Sequence, residues 1–178
     1  MFLNLYTQPI GTVVVWMFSA VAVWTLLGLY GQDDRRFGRY WRLCNGLCVP
    51  LSTLAVVAVT LLTRSGGVRE LNLTPLITLV KAQDQPEYYR TMLMNVLLFL
   101  PLGLSLSQVL PERWPVWIRV ALVAAAGLAL SILVEWLQYR YALGTTETDD
   151  VLCNTLGALL GASVLGIRGR WSGRKTAE

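Results

Sequence analysis

The hydrophobic positions of this chain fall into long blocks, separated by short segments that carry most of the charge. A transmembrane helix needs roughly 20 apolar residues to cross about 30 Å of hydrocarbon. Blocks of about this length occur at residues 10–30, 43–63, 91–110, 116–138 and 151–167. The pattern therefore predicts an all-α fold, in which a polytopic bundle of about five transmembrane helices forms a single membrane domain over residues 1–178.

The longest connection between these blocks, residues 64–90, contains the pattern of a short amphipathic helix. Thr74 and Pro75 are typical of a helix start, because a hydroxyl can cap the first turn and proline fits within it. The apolar residues that follow would share one face of that helix: Leu76, Leu79 and Val80. We therefore expect a short helix lying in the membrane interface within this outer loop.

Composition supports a membrane protein and excludes several other classes. The chain is 54% hydrophobic and only 15% charged, with a mean hydropathy of +0.51, whereas a soluble domain needs more charge to cover its surface. The net charge is +4, but no basic stripe follows one helix face, so no nucleic-acid partner is expected. Histidine is absent, which excludes imidazole as a base, nucleophile or metal ligand.

The distribution of the 15 lysines and arginines predicts the orientation in the bacterial cytoplasmic membrane. If the N-terminus is outside, the inner segments hold ten of them: Arg35, Arg36, Arg39, Arg42, Arg113, Arg119, Arg168, Arg170, Arg174 and Lys175. The outer segments then hold five: Arg64, Arg69, Lys81, Arg90 and Arg140. Because cytoplasmic loops carry the excess of positive charge, we expect the N-terminus outside and the C-terminus inside.

Several polar side chains are predicted to lie at one depth in the membrane, where each is costly. Ser131, Glu135 and Gln138 have the spacing i, i+4, i+7 and share one face of the fourth span. On the predicted topology, residues of the third and fifth spans reach the same outer level: Asn95, Asp149, Asp150 and Asn154. Three helices thus contribute amide or carboxylate groups at that level.

Each of these polar residues could have a structural role instead of a functional one. Asp149 and Asp150 could cap the fifth helix and oppose the positive end of its dipole. Asn95 and Asn154 could form hydrogen bonds between helices. Glu135 could form a structural ion pair with Arg90 or Arg140, although we favour a functional pocket for this carboxylate.

Small residues predict close packing of the fifth helix. Gly157 and Gly161 form a GxxxG pattern, and Asn154 extends it into a stripe along one side. Within the third span, Pro101 frees a carbonyl one turn earlier and is expected to bend the helix near Gly103. We interpret these four positions, Pro101, Gly103, Gly157 and Gly161, as packing positions.

Four motifs of the chain, taken together, resemble the VanZ family of bacterial membrane proteins. They are Asn72-Leu73-Thr74-Pro75, Asn95-Val96-Leu97-Leu98-Phe99-Leu100-Pro101-Leu102-Gly103, Glu135-Trp136-Leu137-Gln138, and Asp149-Asp150-Val151-Leu152-Cys153-Asn154-Thr155-Leu156-Gly157 with Gly161. The resemblance covers about residues 70–165. It departs from the family at Glu147, where an Asp is frequent, at Thr148, where a branched aliphatic is frequent, and at Gly144, where an Arg is common.

The resemblance implies a phenotype rather than a mechanism, because the family is linked to reduced susceptibility to teicoplanin and related lipoglycopeptides and not to a defined reaction. The shared depth of the polar groups, taken with these motifs, predicts a substrate-binding pocket formed by Asn72, Arg90, Asn95, Glu135, Gln138, Asp149, Asp150 and Asn154. We therefore expect membrane lipids, and a lipid-linked envelope precursor or the lipoglycopeptide itself, as partners. The protein would lower the access or binding of the antibiotic.

Two other functions remain open. An intramembrane enzyme would use Glu135 as a general base on a lipid-linked phosphate, with Asp149 and Asp150 holding a divalent cation such as Mg²⁺. A small lipid transporter is the other, but the chain shows no repeat symmetry. No nucleophile–base pair is visible, so we favour the binding hypothesis, which needs no cofactor and leaves catalysis unassigned.

Overall fold

The computed structural model of the chain describes residues 23–24, 35–62, 67–85 and 87–175, with side chains as far as Val164. The chain divides into two compact units, Met1–Trp41 and Arg42–Glu178. Most of the predicted first span, 10–30, lies outside the described residues. Within the first unit, the ring of Trp41 lies 4.7 Å from that of Trp24 and stacks on Phe37 at 5.7 Å, between centroids.

The chain is mostly helical, as predicted. Helix α1 runs over Arg35–Val57 and continues as a π-helix over Ala58–Leu62. The elements that follow are β1 (Val68–Asn72), α2 (Ile77–Lys81), α3 (Glu87–Val109), α4 (Val116–Arg140), β2 (Leu143–Glu147) and α5 (Thr148–Lys175).

Three helices in the described part of the chain are long and apolar enough to cross a membrane: Phe37–Leu62, Glu87–Val109 and Val116–Arg140. They cover the predicted second, third and fourth spans, apart from the last residue of the second and of the third. The predicted fifth span, 151–167, falls within α5, and its last three residues lie beyond the described side chains. The protein is therefore a membrane protein with at least these three apolar helices.

Aromatic side chains mark two levels along α4. Trp117 near its start and Trp136 near its end are both exposed, and their separation in an α-helix is about 30 Å. That distance matches the thickness of the hydrocarbon core, and tryptophan is enriched at both membrane–water interfaces. Tyr139 and Tyr141 add exposed rings beyond Trp136. The spacing of Trp117 and Trp136 is the one expected for a helix that crosses the bilayer with one tryptophan at each interface.

A two-stranded parallel sheet joins the segments on either side of α2, α3 and α4, and the sequence had not predicted it. Strand β1 pairs with β2 in the register Val68↔Leu143 to Asn72↔Glu147. Parallel strands need a long crossover connection, which the three helices supply here. Gly67 and Gly144 have φ angles of +130° and +128°, a conformation that side chains rarely adopt.

Helix α2 differs in its start from the sequence prediction. It begins at Ile77, and Thr74 does not cap it, because Leu76 occupies the cap position in a left-handed conformation with a φ of 60°. Thr78 faces inward and is buried. The predicted apolar face, Leu76, Leu79 and Val80, is exposed on the outside of the protein. The outward face of α2 is therefore apolar.

Helices α3 and α5 pack with their backbones in direct contact. A Cβ added at Gly157 would meet the Val96 carbonyl oxygen, and one added at Gly103 would meet the Ala158 carbonyl oxygen, both far inside the closest approach that atoms tolerate. Gly161 lies in the same way against the Leu100 carbonyl. In lipid, such close approach of backbones is a main source of helix association. The contact fixes the start of α5 beside α3.

The hydrophobic core of the second unit draws on four helices. Its buried members are Val56 of α1, Phe99 and Leu102 of α3, Val134 of α4 and Ala158 of α5. Outside this core, α1 leaves a row of leucines exposed, namely Leu43, Leu47, Leu51 and Leu54. Apolar side chains on the outer surface are favourable where the solvent is lipid.

Candidate functional site

The predicted polar residues meet where α4 ends and α5 begins, at the level of the aromatic rings of Trp136 and Tyr139. Six of them are buried: Ser131, Glu135, Gln138, Asp149, Asp150 and Asn154. We call these six, together with Asn95 and Glu147, the polar cluster. Strands β1 and β2 and helix α2 lie against it. Arg90 lies five residues before Asn95 on α3 and is half-buried.

Asp149 holds α2 in place rather than capping its own helix. One carboxylate oxygen accepts a hydrogen bond from the Leu76 backbone N–H at 2.5 Å, and the other accepts one from the Thr78 N–H at 2.7 Å. These N–H groups belong to the first turn of α2, where no partner exists within the helix. The Thr78 hydroxyl donates to the Glu147 carboxylate at 2.9 Å. The side chains of Asp149 and Glu147 thus hold α2 against the polar cluster by hydrogen bonds.

Asp150 joins the start of α5 to α3. Its carboxylate accepts a hydrogen bond from the Asn95 side-chain amide at 2.7 Å. An amide that donates to a carboxylate makes a charge-assisted bond, which is stronger than a neutral one. Asp149 and Asp150 are adjacent in the sequence, but Asp149 bonds to α2 and Asp150 bonds to α3.

Glu135 joins α4 to β2. Its carboxylate accepts a hydrogen bond from the Glu147 backbone N–H at 3.2 Å, and its backbone carbonyl accepts one from the Thr146 hydroxyl at 3.3 Å. Of the two arginines considered as its partners, Arg140 is exposed and its guanidinium lies over the ring of Tyr141. The short strand β2 is therefore anchored to the last turns of α4.

Gln138 and Asn154 each donate one hydrogen bond and keep one buried oxygen without a partner. The Gln138 side chain donates to the Thr60 carbonyl oxygen at 3.0 Å, in the π-helix that follows α1. The Asn154 side chain donates to the Ser131 hydroxyl at 2.8 Å. The Oε1 atom of Gln138 and the Oδ1 atom of Asn154 are buried and have no hydrogen-bond partner. Burying such an atom unsatisfied costs about 1–3 kcal/mol.

Asn72 lies at the edge of the cluster and shapes the turn between β1 and α2. Its side-chain oxygen accepts a hydrogen bond from the Thr74 N–H at 3.3 Å, two residues on, as in an Asx-turn. Its backbone carbonyl lies 3.5 Å from the Thr148 hydroxyl. The half-buried side chain thus organises the chain next to the site.

The residues predicted for packing lie deeper in the bundle. Gly103, Gly157 and Gly161 form the contact between α3 and α5 described above. Pro101 lies within α3, and its carbonyl accepts a hydrogen bond from the Ser105 hydroxyl at 2.8 Å. These four positions shape the bundle below the polar cluster.

The acidic side chains of the polar cluster each accept hydrogen bonds from a different part of the chain. Within the described part of the chain, no three His, Cys, Asp or Glu side chains are grouped so that they could hold a metal ion. The two residues considered as metal ligands, Asp149 and Asp150, direct their oxygens to the α2 backbone and to Asn95.

Sequence reasoning missed four contributors to the site: Thr60, Thr78, Thr146 and Glu147, the last noted only as a departure from the family motif. Thr60 contributes a backbone carbonyl, which no side-chain pattern can indicate. Thr78 and Thr146 contribute hydroxyls from elements whose position depends on the unpredicted strand pair. A threonine in an outer loop gives no signal in the sequence that it is buried.

Comparison of the sequence with known proteins identifies the family. A family model described as VanZ/LLP1 matches residues 46–168, which is more than half of the chain and starts within α1. Protein VanZ of Enterococcus faecium is 33% identical over 110 residues, which cover 62% of this chain and 61% of that protein. The chain thus spans about three-fifths of the length of this curated relative. No solved structure gives a significant match to the chain. The resemblance that the motifs predicted is confirmed, and the chain belongs to the VanZ/LLP1 family.

Proposed function

We propose that the protein lowers the access or binding of lipoglycopeptide antibiotics of the teicoplanin class by engaging a lipid-linked envelope component in the polar cluster. The observation that carries the proposal is that the cluster adjoins the exposed ring of Trp136, since Glu135 and Gln138 flank this residue on α4. Tryptophan is enriched at membrane interfaces, which supports a head-group depth for the cluster. A head group held at that depth would stay attached to its lipid.

The proposal includes an orientation. The positive-inside distribution supports an N-terminus outside and a C-terminus inside the cytoplasmic membrane, in a bundle of five spans. The polar cluster then faces the outer leaflet, where cell-wall precursors are exposed. The exposed apolar face of α2, with Leu76, Leu79 and Val80, would lie in the interface beside it.

The buried polar groups also support a binding role. Replacing buried ionic groups by hydrophobic ones is often neutral or stabilising, so retaining many of them favours a role other than stability. Acidic and amide side chains from α3, α4 and α5 converge here, together with α2 and β2. This convergence provides a site with many hydrogen-bonding groups in a small volume.

The test is the substitution Glu135→Gln, in bacteria whose teicoplanin susceptibility depends on this protein. We expect Glu135→Gln to accumulate and melt like the parent, because glutamine has the same shape and its oxygen can still accept from the Glu147 N–H. Resistance should nevertheless fall. The control is Asp84→Asn, which removes an exposed acid in the turn after α2 and should change neither protein level nor resistance.

The outcomes separate a binding role from a structural one. Loss of protein together with loss of resistance would assign Glu135 to the stability of the bundle, because stranding a buried charge costs about 3–5 kcal/mol. Intact protein with unchanged resistance would remove Glu135 from the proposed site.

A further inference from the structure

The unpartnered atoms of the polar cluster are all acceptors where their chemistry can be assigned. Gln138 is 1% exposed, and its Nε2 donates to the Thr60 carbonyl. A carbonyl oxygen can only accept, so this bond fixes which end of the amide is nitrogen. The remaining end is therefore the oxygen Oε1, and it has no hydrogen-bond partner.

A second buried oxygen lies in the same cluster. Asn154 is 2% exposed, and its Oδ1 also lacks a partner. Its other end bonds to the hydroxyl of Ser131, which can donate or accept, so this bond does not fix the ends of the amide as the Thr60 carbonyl does for Gln138. Ser131 lies one turn along α4 from Glu135, and Asp150 precedes Asn154 by one turn of α5. Both unpartnered oxygens thus lie on the two helix faces that carry the acids. Most buried polar groups in proteins are paired, so these two atoms require an explanation.

Two further acids of the polar cluster, Asp149 and Glu147, add negative charge where it borders α2. Asp149 is 2% exposed, and the groups bonded to its oxygens are backbone N–H groups, which carry no formal charge. Glu147 accepts from the neutral hydroxyl of Thr78. An anion placed here would face acceptors and carboxylates, whereas a cation that donates hydrogen bonds would complement both.

We propose that the polar cluster binds a primary ammonium group, with Gln138 Oε1 accepting one of its N–H bonds and Asn154 Oδ1 as the second unpartnered acceptor of the cluster. The inference rests on the proposed function and adds to it the chemistry of the head group that is engaged. The ammonium belongs to a lipid head group or to a soluble amine, and these two sources share the same recognition. A quaternary ammonium supplies the charge without N–H donors, and a phosphate supplies the wrong charge.

The experiment measures the melting temperature of the purified full chain in detergent, with lipids of identical acyl chains added in increasing amounts. A ligand that binds only the folded state raises the melting temperature in proportion to its occupancy. We expect phosphatidylethanolamine to raise it by several degrees, and phosphatidylcholine and phosphatidylglycerol to have little effect. Free ethanolamine, added without lipid, tests the soluble source. A shift with ethanolamine equal to that with the lipid would assign the site to soluble amines.

Variants locate the effect at the two oxygens. Gln138→Met removes the acceptor and keeps the length of the side chain, and it should weaken the apparent affinity for phosphatidylethanolamine about tenfold, the size expected for one hydrogen bond to a charged group. Asn154→Ala should weaken it in the same direction and serves if Gln138→Met does not melt cooperatively. The control is Ser107→Ala, which removes a buried hydroxyl bonded within its own helix, outside the polar cluster. It should respond to the lipid like the parent.

Two results would overturn the inference. The first is an equal response to phosphatidylethanolamine and phosphatidylcholine, because charge alone would then suffice. The second is a parental lipid response in both Gln138→Met and Asn154→Ala. If either occurs while Glu135→Gln still loses resistance, the ammonium inference fails and the proposed function stands. If the lipid response behaves as expected and Glu135→Gln keeps full resistance, the proposed function fails and the ammonium site stands.

Discussion

The contact between α3 and α5 allows one chemical change to be compared at two glycines. Gly157 lies against the backbone of α3, where an added methyl group would meet the Val96 carbonyl oxygen. Gly46 lies within α1, and a methyl group there would meet nothing within 4 Å. Substituting alanine at either position changes helix propensity by the same amount, about 1 kcal/mol in favour of alanine in water. The propensity term therefore cancels when the two variants are compared.

What remains in the comparison is the packing term at Gly157. Inserting a methylene-sized group into a well-packed interior costs about 1–3 kcal/mol. The upper end applies here, because the obstructing atoms are backbone atoms that cannot rotate away, and α3 and α5 must separate to admit the methyl group. We therefore expect Gly157→Ala to unfold with a free energy about 3 kcal/mol lower than Gly46→Ala, which is roughly a 100-fold difference in the unfolding equilibrium.

The assay is equilibrium unfolding in mixed micelles, with a denaturing detergent as the titrant and helix content as the signal. Both variants and the parent are measured under the same lipid and salt conditions. Gly46→Ala should match or slightly exceed the parent, and Gly157→Ala should fall below it. If the two variants unfold within about 0.5 kcal/mol of each other, the ordinary scatter of surface substitutions, the backbone contact between α3 and α5 is wrong.

Two further predictions concern α2 and the orientation. Asp149→Ala leaves the N–H groups of Leu76 and Thr78 without their acceptor, which costs about 1–3 kcal/mol of stability for a buried donor. Limited proteolysis should then cut around α2 faster than in Asp149→Asn. Equal rates of cleavage would contradict the anchoring of α2 by Asp149. In a background without the native cysteines, an impermeant thiol reagent applied to intact cells should label Gln83→Cys and spare Arg113→Cys, both exposed positions. The reverse pattern would invert the proposed topology.

The hydrophobic pattern predicted the long helices because their signal is contained within each segment. The apolar blocks at 91–110 and 116–138 coincide with α3 and α4, except that Leu110 lies one residue beyond α3. Helix α3 also begins four residues before the first block, and α4 ends two residues after the second. The i, i+4, i+7 spacing on α4 also depends only on helix geometry, and Ser131, Glu135 and Gln138 are all buried. Local periodicity therefore suffices for these features.

Features that depend on distant partners could not be predicted. Asp149 follows Thr148 at a helix start, which is the local pattern of a cap, yet its carboxylate bonds to α2, more than 70 positions earlier in the chain. The strand segment Leu143–Glu147 is five residues long, and its partner is equally distant. Gly144 lies in this strand, and its φ of +128° disfavours any side chain at that position, which no local pattern predicts.

The pairing of β1 with β2 has a consequence for how the protein is inserted into the membrane. The paired strands must be on the same side of the bilayer, and the two apolar helices between them are α3 and α4. These helices must therefore insert together as a hairpin, whose two ends lie on the same side of the membrane. The strands can meet only after the second half of that hairpin has crossed during synthesis. Formation of this small sheet then marks the completion of insertion, and a chain in which only one of the two helices had crossed could not form it.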